Sequence, residues 1–182
     1  EELARLGVDV IEAGFPIASN GDFEAVQAIA RSAGGGQMGP EGHRPVICGL
    51  SRASPKDIDR CAEAIRKAKR GRIHTFLSTS PSHRDHILHA SQEDILEMIT
   101  KSVSHARNLC GDVEWSAQDA TRTEQDFLRR AADFLDREGA YARLQGTKPH
   151  TLYKNMYKFT LNFITAGVLV DGDCYEALRT IV

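Results

Sequence analysis

Residues 8–13 read VDVIEA and set the pattern from which the fold can be predicted. The run is largely apolar, carries Glu12 near its far end, and is followed by the turn residues Gly14 and Pro16. A short apolar run between turn residues is typical of a buried parallel strand. The sequence therefore predicts a strand that ends at a polar site.

The same pattern recurs three times along the chain. Residues 34–44 and 78–89 are predicted to be loops, and Ser54, Ser91 and Thr123 have the residue type and position of helix N-caps. The further predicted strands are 45–50 (PVICGL), 72–77 (RIHTFL) and 112–116 (DVEWS), and the predicted helices cover 22–33, 55–68, 91–106 and 123–138.

Alternating strands and helices indicate parallel strands joined by right-handed crossovers. Both a (β/α)₈ barrel and a doubly wound open sheet fit this order, but no G-x-G-x-x-G or P-loop sequence follows a strand. The chain has 182 residues, whereas a complete (β/α)₈ barrel typically needs about 250. We therefore predict an α/β fold of about four βα units.

Polar residues near the strand ends are the candidate functional residues, because both architectures place their sites there. His74 lies inside an apolar strand, and it is either a hydrogen-bonded core histidine or an acid–base group. Glu114, Ser116 and Gln118 are spaced by two, so they are predicted to project from one face. Burying such polar groups without partners is costly, which favours a functional role.

His83, His86 and His89 recur every three residues and would share one face if this segment were helical. We expect them instead to lie on a solvated loop or a substrate lid, because Asp85 is the only carboxylate close by. We do not expect His83 or His86 to ligate a metal.

Composition narrows the functional class. The net charge is −2 without a basic stripe, which argues against nucleic acid, and the apolar stretch 159–170 is too short and too polar to span a bilayer. The four cysteines form no C-x-x-C pair, so we expect free thiols in a reducing compartment. They are Cys48, Cys61, Cys110 and Cys174.

Three strings together resemble the 2-isopropylmalate synthase family, in the family's order and spacing. They are LGVDVIEAGFP at 6–16, IHTFLSTSPSH at 73–83 and VEWSAQDATR at 113–122. The resemblance covers residues 1–138 and implies strands two to five of a (β/α)₈ barrel of the pyruvate-carboxyltransferase type. Citramalate and homocitrate synthases are close relatives of this family.

The resemblance implies a reaction as well as a fold. Members of the family condense acetyl-CoA with a 2-keto acid at a divalent metal, Mg²⁺ or Mn²⁺, which polarises the keto acid. His74 matches a histidine that contacts the keto acid, Ser116 matches a serine of the substrate pocket, and Glu12 matches an acid near that pocket. Gln118 stands where many relatives have glutamate. We thus expect Glu12, His74, Ser116 and Gln118 to bind substrate and assign none of them as catalytic.

Other family motifs do not occur in this sequence, namely Arg-Asp-Gly-Glu and H-x-H, which supply the catalytic arginine and metal ligands. We therefore expect that this chain alone binds no metal and is an inactive fragment of the enzyme. One alternative is a non-catalytic interaction module or a half-barrel that associates with another chain. The other is a homocitrate or citramalate synthase-like acyltransferase. The resemblance implies a cytoplasmic protein, or a plastid one in a plant, and leaves a homo-oligomer open.

The tail, residues 139–182, does not continue the resemblance and forms a separate region in this interpretation. It is rich in tyrosine and phenylalanine. A short helix or strand is predicted within 152–170, and a final short helix near 175–180.

Overall fold

The structure, a computed structural model, describes residues 1–36 and 42–137. Strands and helices alternate through this part of the chain, as the sequence predicts. The strands are β1 (Val10–Gly14), β2 (Val46–Arg52), β3 (Gly71–Ser78) and β4 (Val113–Gln118). The helices are α1 (Glu2–Arg5), α2 (Asn20–Arg31), α3 (Pro55–Ile65), α4 (Pro81–His83), α5 (Gln92–Leu109) and α6 (Gln125–Arg137), with a π-helical turn at Arg84–Leu88 and a 3₁₀ turn at Ala120–Arg122.

The four strands form one parallel sheet in the order β1-β2-β3-β4. Each strand is therefore a neighbour of the next strand along the chain, as in a (β/α)₈ barrel, whereas a doubly wound sheet reverses its order partway. The described residues form a sector of such a barrel. The predicted fold class is confirmed.

Helices α2, α3, α5 and α6 pack on one face of this sheet, which we call the outer face. Ile73 of β3 is fully buried there against a layer that includes Ile58 of α3 and Ile95 and Ile99 of α5. Burying a side chain of this size contributes about 1.5–3 kcal/mol. This layer is the main source of stability, and it leaves the opposite, inner face available for a site.

Helix α3 approaches β2 closely because β2 has a glycine at the contact. A Cβ atom on Gly49 would lie 2.6 Å from Cys61 Sγ and 3.1 Å from Ile65 Cγ2. The glycine therefore sets the distance between this helix and the sheet.

Two of the three predicted N-caps are confirmed. The Ser54 hydroxyl accepts a hydrogen bond from the Asp57 amide at 3.4 Å, and Ser91 forms a reciprocal capping box with Asp94. Thr123 was wrongly assigned as a cap, because α6 begins at Gln125. The Thr123 hydroxyl instead lies 2.7 Å from the Thr79 hydroxyl, so it joins the segment after β4 to the segment after β3.

The segment 78–89 is not a loop throughout, contrary to the prediction. Pro81 starts α4, and the chain continues as the π-helical turn to Leu88. The buried residues of this segment are Thr79, Ser80 and Arg84. The Arg84 guanidinium bonds the Thr79 carbonyl oxygen and the Glu124 carboxylate. Such an element is difficult to predict from a polar sequence, because the side chain that anchors it is charged and not apolar.

Cys48 and Cys61 are buried and Cys110 is half-buried, and all three are free thiols. Within the described ranges, no helix is both long and apolar enough to cross a membrane. The predictions made for the tail, including Cys174 and the elements at 152–170 and 175–180, lie outside the described residues.

Candidate functional site

The inner face carries a stripe of polar side chains on β1, β3 and β4. Side chains alternate between the two faces of a strand, and Ile73 and Trp115 belong to the outer-face core. His74 and Ser116, one residue further along each strand, therefore project inward. The strand pairing also places Glu114 and Gln118 on this face with Ser116, as their spacing predicted.

His74 is the centre of the site and is bonded on both ring nitrogens. Its Nδ1 lies 2.6 Å from Glu12 Oε2, and its Nε2 lies 2.8 Å from Ser116 Oγ. The imidazole is 1% exposed, whereas the Glu12 side chain is 41% exposed, so solvent reaches the carboxylate but hardly reaches the ring. Glu12, His74 and Ser116 thus form one hydrogen-bonded series, which we call the inner triad.

The stagger of the strands brings Glu12 to His74. Glu12 pairs with Cys48, and Cys48 pairs with Arg72, so His74 lies two residues beyond the level of Glu12. The contact from Glu12 to His74 spans the two strand-to-strand steps from β1 to β3 and is offset by two residues. The stagger is therefore one residue for each step between neighbouring strands. Eight strands with that stagger give the shear of eight that closes a (β/α)₈ barrel. The contact between these two residues is therefore a consequence of barrel geometry.

The sequence placed the candidate residues near the strand ends, whereas the three residues of the inner triad come together midway along their strands. His74 is the fourth residue of β3, and Ser116 is the fourth residue of β4. Gln118, the last residue of β4, lies at the rim instead of in the triad. The site therefore has a buried centre and a more exposed rim.

The rim is held by a second set of hydrogen bonds. The Ser78 hydroxyl donates to Gln118 Oε1 at 2.7 Å, and His83 Nδ1 lies 3.0 Å from the same hydroxyl. The nearby Ser80 hydroxyl lowers the pKa of Asp119, and so does Arg122, whose guanidinium donates to that carboxylate at 2.7 Å. His86 is exposed on the π-helical turn.

Below the triad, towards the strand N-termini, lies a charged cluster that the sequence did not reveal. Arg72 bonds Asp112 at 3.0 Å and Glu114 at 2.7 Å, and its side chain is 5% exposed. Arg72 shares the inward orientation of His74, since the two are spaced by two. A buried arginine in an apolar strand requires carboxylate partners, and that requirement was the available signal.

Cys48 adds a thiol to the centre of the site. Its Sγ lies 3.9 Å from Glu12 Oε2. Burial raises the pKa of the Cys48 thiol well above its usual value, and the Glu12 and Glu114 carboxylates raise it further. The thiol is therefore protonated near neutral pH and is a poor nucleophile.

Glu12, Cys48 and His74 are also the described residues whose ligand atoms lie close enough together to hold a metal ion. Magnesium and manganese prefer oxygen ligands, and this set offers one carboxylate, a protonated thiol and an imidazole whose nitrogens are both hydrogen-bonded. The described residues thus do not fit the hard divalent ion that the resemblance implies.

Comparison with known proteins agrees with the motifs. The family described as HMGL-like matches residues 1–147. The 2-isopropylmalate synthase of Caulobacter vibrioides (strain NA1000 / CB15N) is 60% identical over 138 residues, which cover 76% of this chain and 25% of the relative. The synthase of Bradyrhizobium sp. (strain ORS 278) is 57% identical over 138 residues, with the same coverage.

A more distant relative gives the same result. The 2-isopropylmalate synthase of Acidimicrobium ferrooxidans is 53% identical over 140 residues, or 77% of this chain and 25% of the relative. The chain thus spans about a quarter of the length of the curated relatives it matches. The resemblance inferred from the three motifs is confirmed.

Proposed function

The chain belongs to the HMGL-like family, and from this membership we propose that it forms the keto-acid-binding sector of a 2-isopropylmalate synthase. Such an enzyme condenses acetyl-CoA with 2-ketoisovalerate in leucine biosynthesis. The observation that carries the proposal is the inner triad, in which a buried imidazole is held between a carboxylate and a hydroxyl on the inner face of the barrel sector.

The triad suits a small anionic carbonyl compound. An ionised Glu12 accepts the Nδ1 proton of His74, so the ring is held in one orientation. The Ser116 hydroxyl can turn from His74 Nε2 to donate to a carbonyl or carboxylate oxygen of the substrate, and a His74 ring that also carries a proton on Nε2 can donate beside it. Gln118 adds an amide at the rim, where substrate enters a (β/α)₈ barrel.

These residues bind and orient the substrate in the proposed role. The resemblance assigns polarisation of the keto acid to a divalent metal, which supplies Lewis-acid chemistry when bound. The ligand set of the described residues does not suit that metal, so we assign the present residues no step through it. A base enolises the acetyl thioester, and hydrolysis then releases CoA.

A chimera tests the proposal. Residues 1–138 replace the aligned 138 residues of the Caulobacter vibrioides enzyme, and free thiol release is followed with acetyl-CoA, 2-ketoisovalerate and magnesium or manganese. We expect turnover within about tenfold of the parent, and we expect His74→Ala to lower kcat/KM by about 10- to 200-fold, the loss of a hydrogen bond to a charged group.

His105→Ala is the matched control, because His105 also bonds a carboxylate, Asp59, but on the helical outer layer. It should leave kcat/KM unchanged. Turnover with pyruvate or 2-ketoglutarate in place of 2-ketoisovalerate would select a citramalate or homocitrate synthase instead. A chimera that melts like its parent and turns over none of these acids would contradict the proposal and favour a non-catalytic module.

A further inference from the structure

The inner triad has the atom order of a nucleophilic hydrolase site. A carboxylate contacts Nδ1 of an imidazole, and Nε2 of the same ring contacts a serine hydroxyl, at 2.6 Å and 2.8 Å. Carboxylate, imidazole and hydroxyl in this order activate serine for attack on acyl groups on several unrelated folds, and the arrangement is recognised by geometry and roles. The substrate-binding role proposed above does not require this order.

The direction of the hydrogen bonds follows from the groups themselves. An ionised Glu12 can only accept, so the proton between it and His74 is on Nδ1. In the neutral ring Nε2 is then an acceptor, and the Ser116 hydroxyl donates to it. Ser116 is half-buried, so its oxygen stands at the boundary between the buried imidazole and the open inner face.

A second serine–histidine contact on the same face lacks this polarity. The Ser78 hydroxyl donates its proton to Gln118 Oε1, so His83 can only donate to Ser78. Ser78 is thereby held as a hydroxyl and is not activated. The difference between the two serines lies in the carboxylate behind His74.

The hydrogen bond between Ser78 and Gln118 also leaves a hydrogen-bond donor near Ser116. Because Gln118 Oε1 accepts from Ser78, the Nε2 amide of Gln118 keeps its protons for another acceptor. Gln118 projects from the same face as Ser116, two residues or about 6.6 Å along β4. Side-chain amides in such positions stabilise the oxyanion that forms when a carbonyl is attacked.

We propose that Ser116 is a nucleophile for acyl transfer, activated by His74 and Glu12 and assisted by the Gln118 amide, and that its substrates are small acyl thioesters and activated esters. The Ser116 oxygen bonds to the acyl carbon while the hydroxyl proton moves to His74 Nε2. The carbonyl electron pair moves to oxygen and faces the amide. Collapse expels the thiolate, which takes the proton from His74 and leaves an acyl-serine.

Water completes the cycle. His74 accepts a proton from the water molecule that attacks the acyl-serine, and returns it to the serine oxygen, which releases the carboxylic acid. This activity goes beyond the proposed function, because it needs neither a keto acid nor a metal. Its failure and that of the condensation are therefore distinguishable.

The test uses the full 182-residue chain, shown to be folded by a cooperative thermal transition. It is treated with a fluorophosphonate probe and, separately, with p-nitrophenyl acetate. We expect one probe molecule per chain, located on Ser116 by peptide mass spectrometry. We also expect a p-nitrophenol burst of about one equivalent, with no labelling in Ser116→Ala.

Two conservative variants separate activation from folding. Glu12→Gln should slow labelling by at least about tenfold, because the amide no longer holds His74 in the required tautomer. Gln118→Glu should slow acetylation by about 100-fold, because a carboxylate repels the oxyanion. Neither change is expected to move the melting temperature by more than a few degrees.

Ser104→Ala is the matched control, since Ser104 is equally half-buried and lies next to His105 on α5, outside the inner face. It should label at the wild-type rate. A folded chain that takes up no probe, or labelling that survives Ser116→Ala, would overturn the proposal. If Glu12→Gln does not fold, the comparison of Ser116→Ala with Ser104→Ala decides alone.

Discussion

Arg72 is the centre of the charged cluster on the inner face. Its nearly buried guanidinium contacts two carboxylates, Asp112 and Glu114. Replacing the guanidinium would leave the two carboxylates, which are 30% and 33% exposed, without their positively charged partner. The cluster thus joins the N-terminal ends of β3 and β4, and substituting Arg72 should lower the free energy of unfolding.

Arg72→Ala is expected to lower the free energy of unfolding by about 1–3 kcal/mol, because the buried guanidinium loses its hydrogen bonds to Asp112 and Glu114. Urea unfolding followed by circular dichroism measures the change. Arg5→Ala is the control, since its ion pair with Glu1 is exposed and should contribute less than about 1 kcal/mol. A loss below about 1 kcal/mol for Arg72→Ala would show that water reaches the cluster.

At the scale of the elements, the close packing of α3 on β2 depends on Gly49, which has no Cβ atom. Gly49→Ala would place Cβ 2.6 Å from Cys61 Sγ, so the helix must move or the side chains must leave their preferred rotamers. We expect a loss of about 1–3 kcal/mol in urea unfolding. The double variant Gly49→Ala, Cys61→Ala should recover part of that loss, and an unchanged loss would place the strain elsewhere.

The ion pair between Arg84 of the π-helical turn and Glu124, the residue before α6, predicts a pH dependence. The hydrogen bond from Arg84 lowers the pKa of Glu124 from 4.5 to about 2. A carboxyl whose pKa is lower in the folded state contributes stability above its unfolded pKa, and that stability is lost as the pH falls through the folded value. The contribution should therefore be complete above about pH 4.5 and should fade towards pH 2.

Glu124→Gln should accordingly destabilise the protein at pH 6 and much less at pH 2.5, as measured by thermal melting. The Glu124 side chain is 43% exposed, so solvent screening limits the difference at pH 6 to about 1 kcal/mol. Glu97→Gln, which removes an exposed pair with Lys101, is the control. An equal effect of Glu124→Gln at both pH values would contradict the assigned link.

The strands could be predicted from sequence because each is a short apolar run between turn residues, and the Ser54 and Ser91 caps because their hydrogen bonds are local. The element after β3 could not be predicted in this way, because it is held by a half-buried ion pair between residues 40 positions apart in sequence. At the site, His74 and Ser116 were recognisable from motifs. Their contacts to each other and to Glu12 depend on strand stagger, which a sequence does not show.

At the scale of the whole molecule, the described residues are one sector of a barrel with a polar inner face. The 182-residue chain assayed alone is expected to show no 2-isopropylmalate synthase turnover. Glu12, Cys48 and His74 do not suit magnesium or manganese, and a site built from some of its strands is poorly preorganised. The measurement is thiol release with acetyl-CoA, 2-ketoisovalerate and either metal. Turnover that His74→Ala abolishes would contradict this expectation.

The contacts Arg72–Glu114 and His74–Ser116 share one arithmetic property, since each joins residues 42 positions apart. Both belong to the same pair of strands, so lengthening the chain between β3 and β4 changes the two separations equally and breaks neither contact. Inserting one residue between Val113 and Glu114, by contrast, would turn both partners, Glu114 and Ser116, to the outer face at once. Among relatives, the segment between β3 and β4, which contains α4 and α5, should therefore tolerate insertions, whereas β3 and β4 themselves should not.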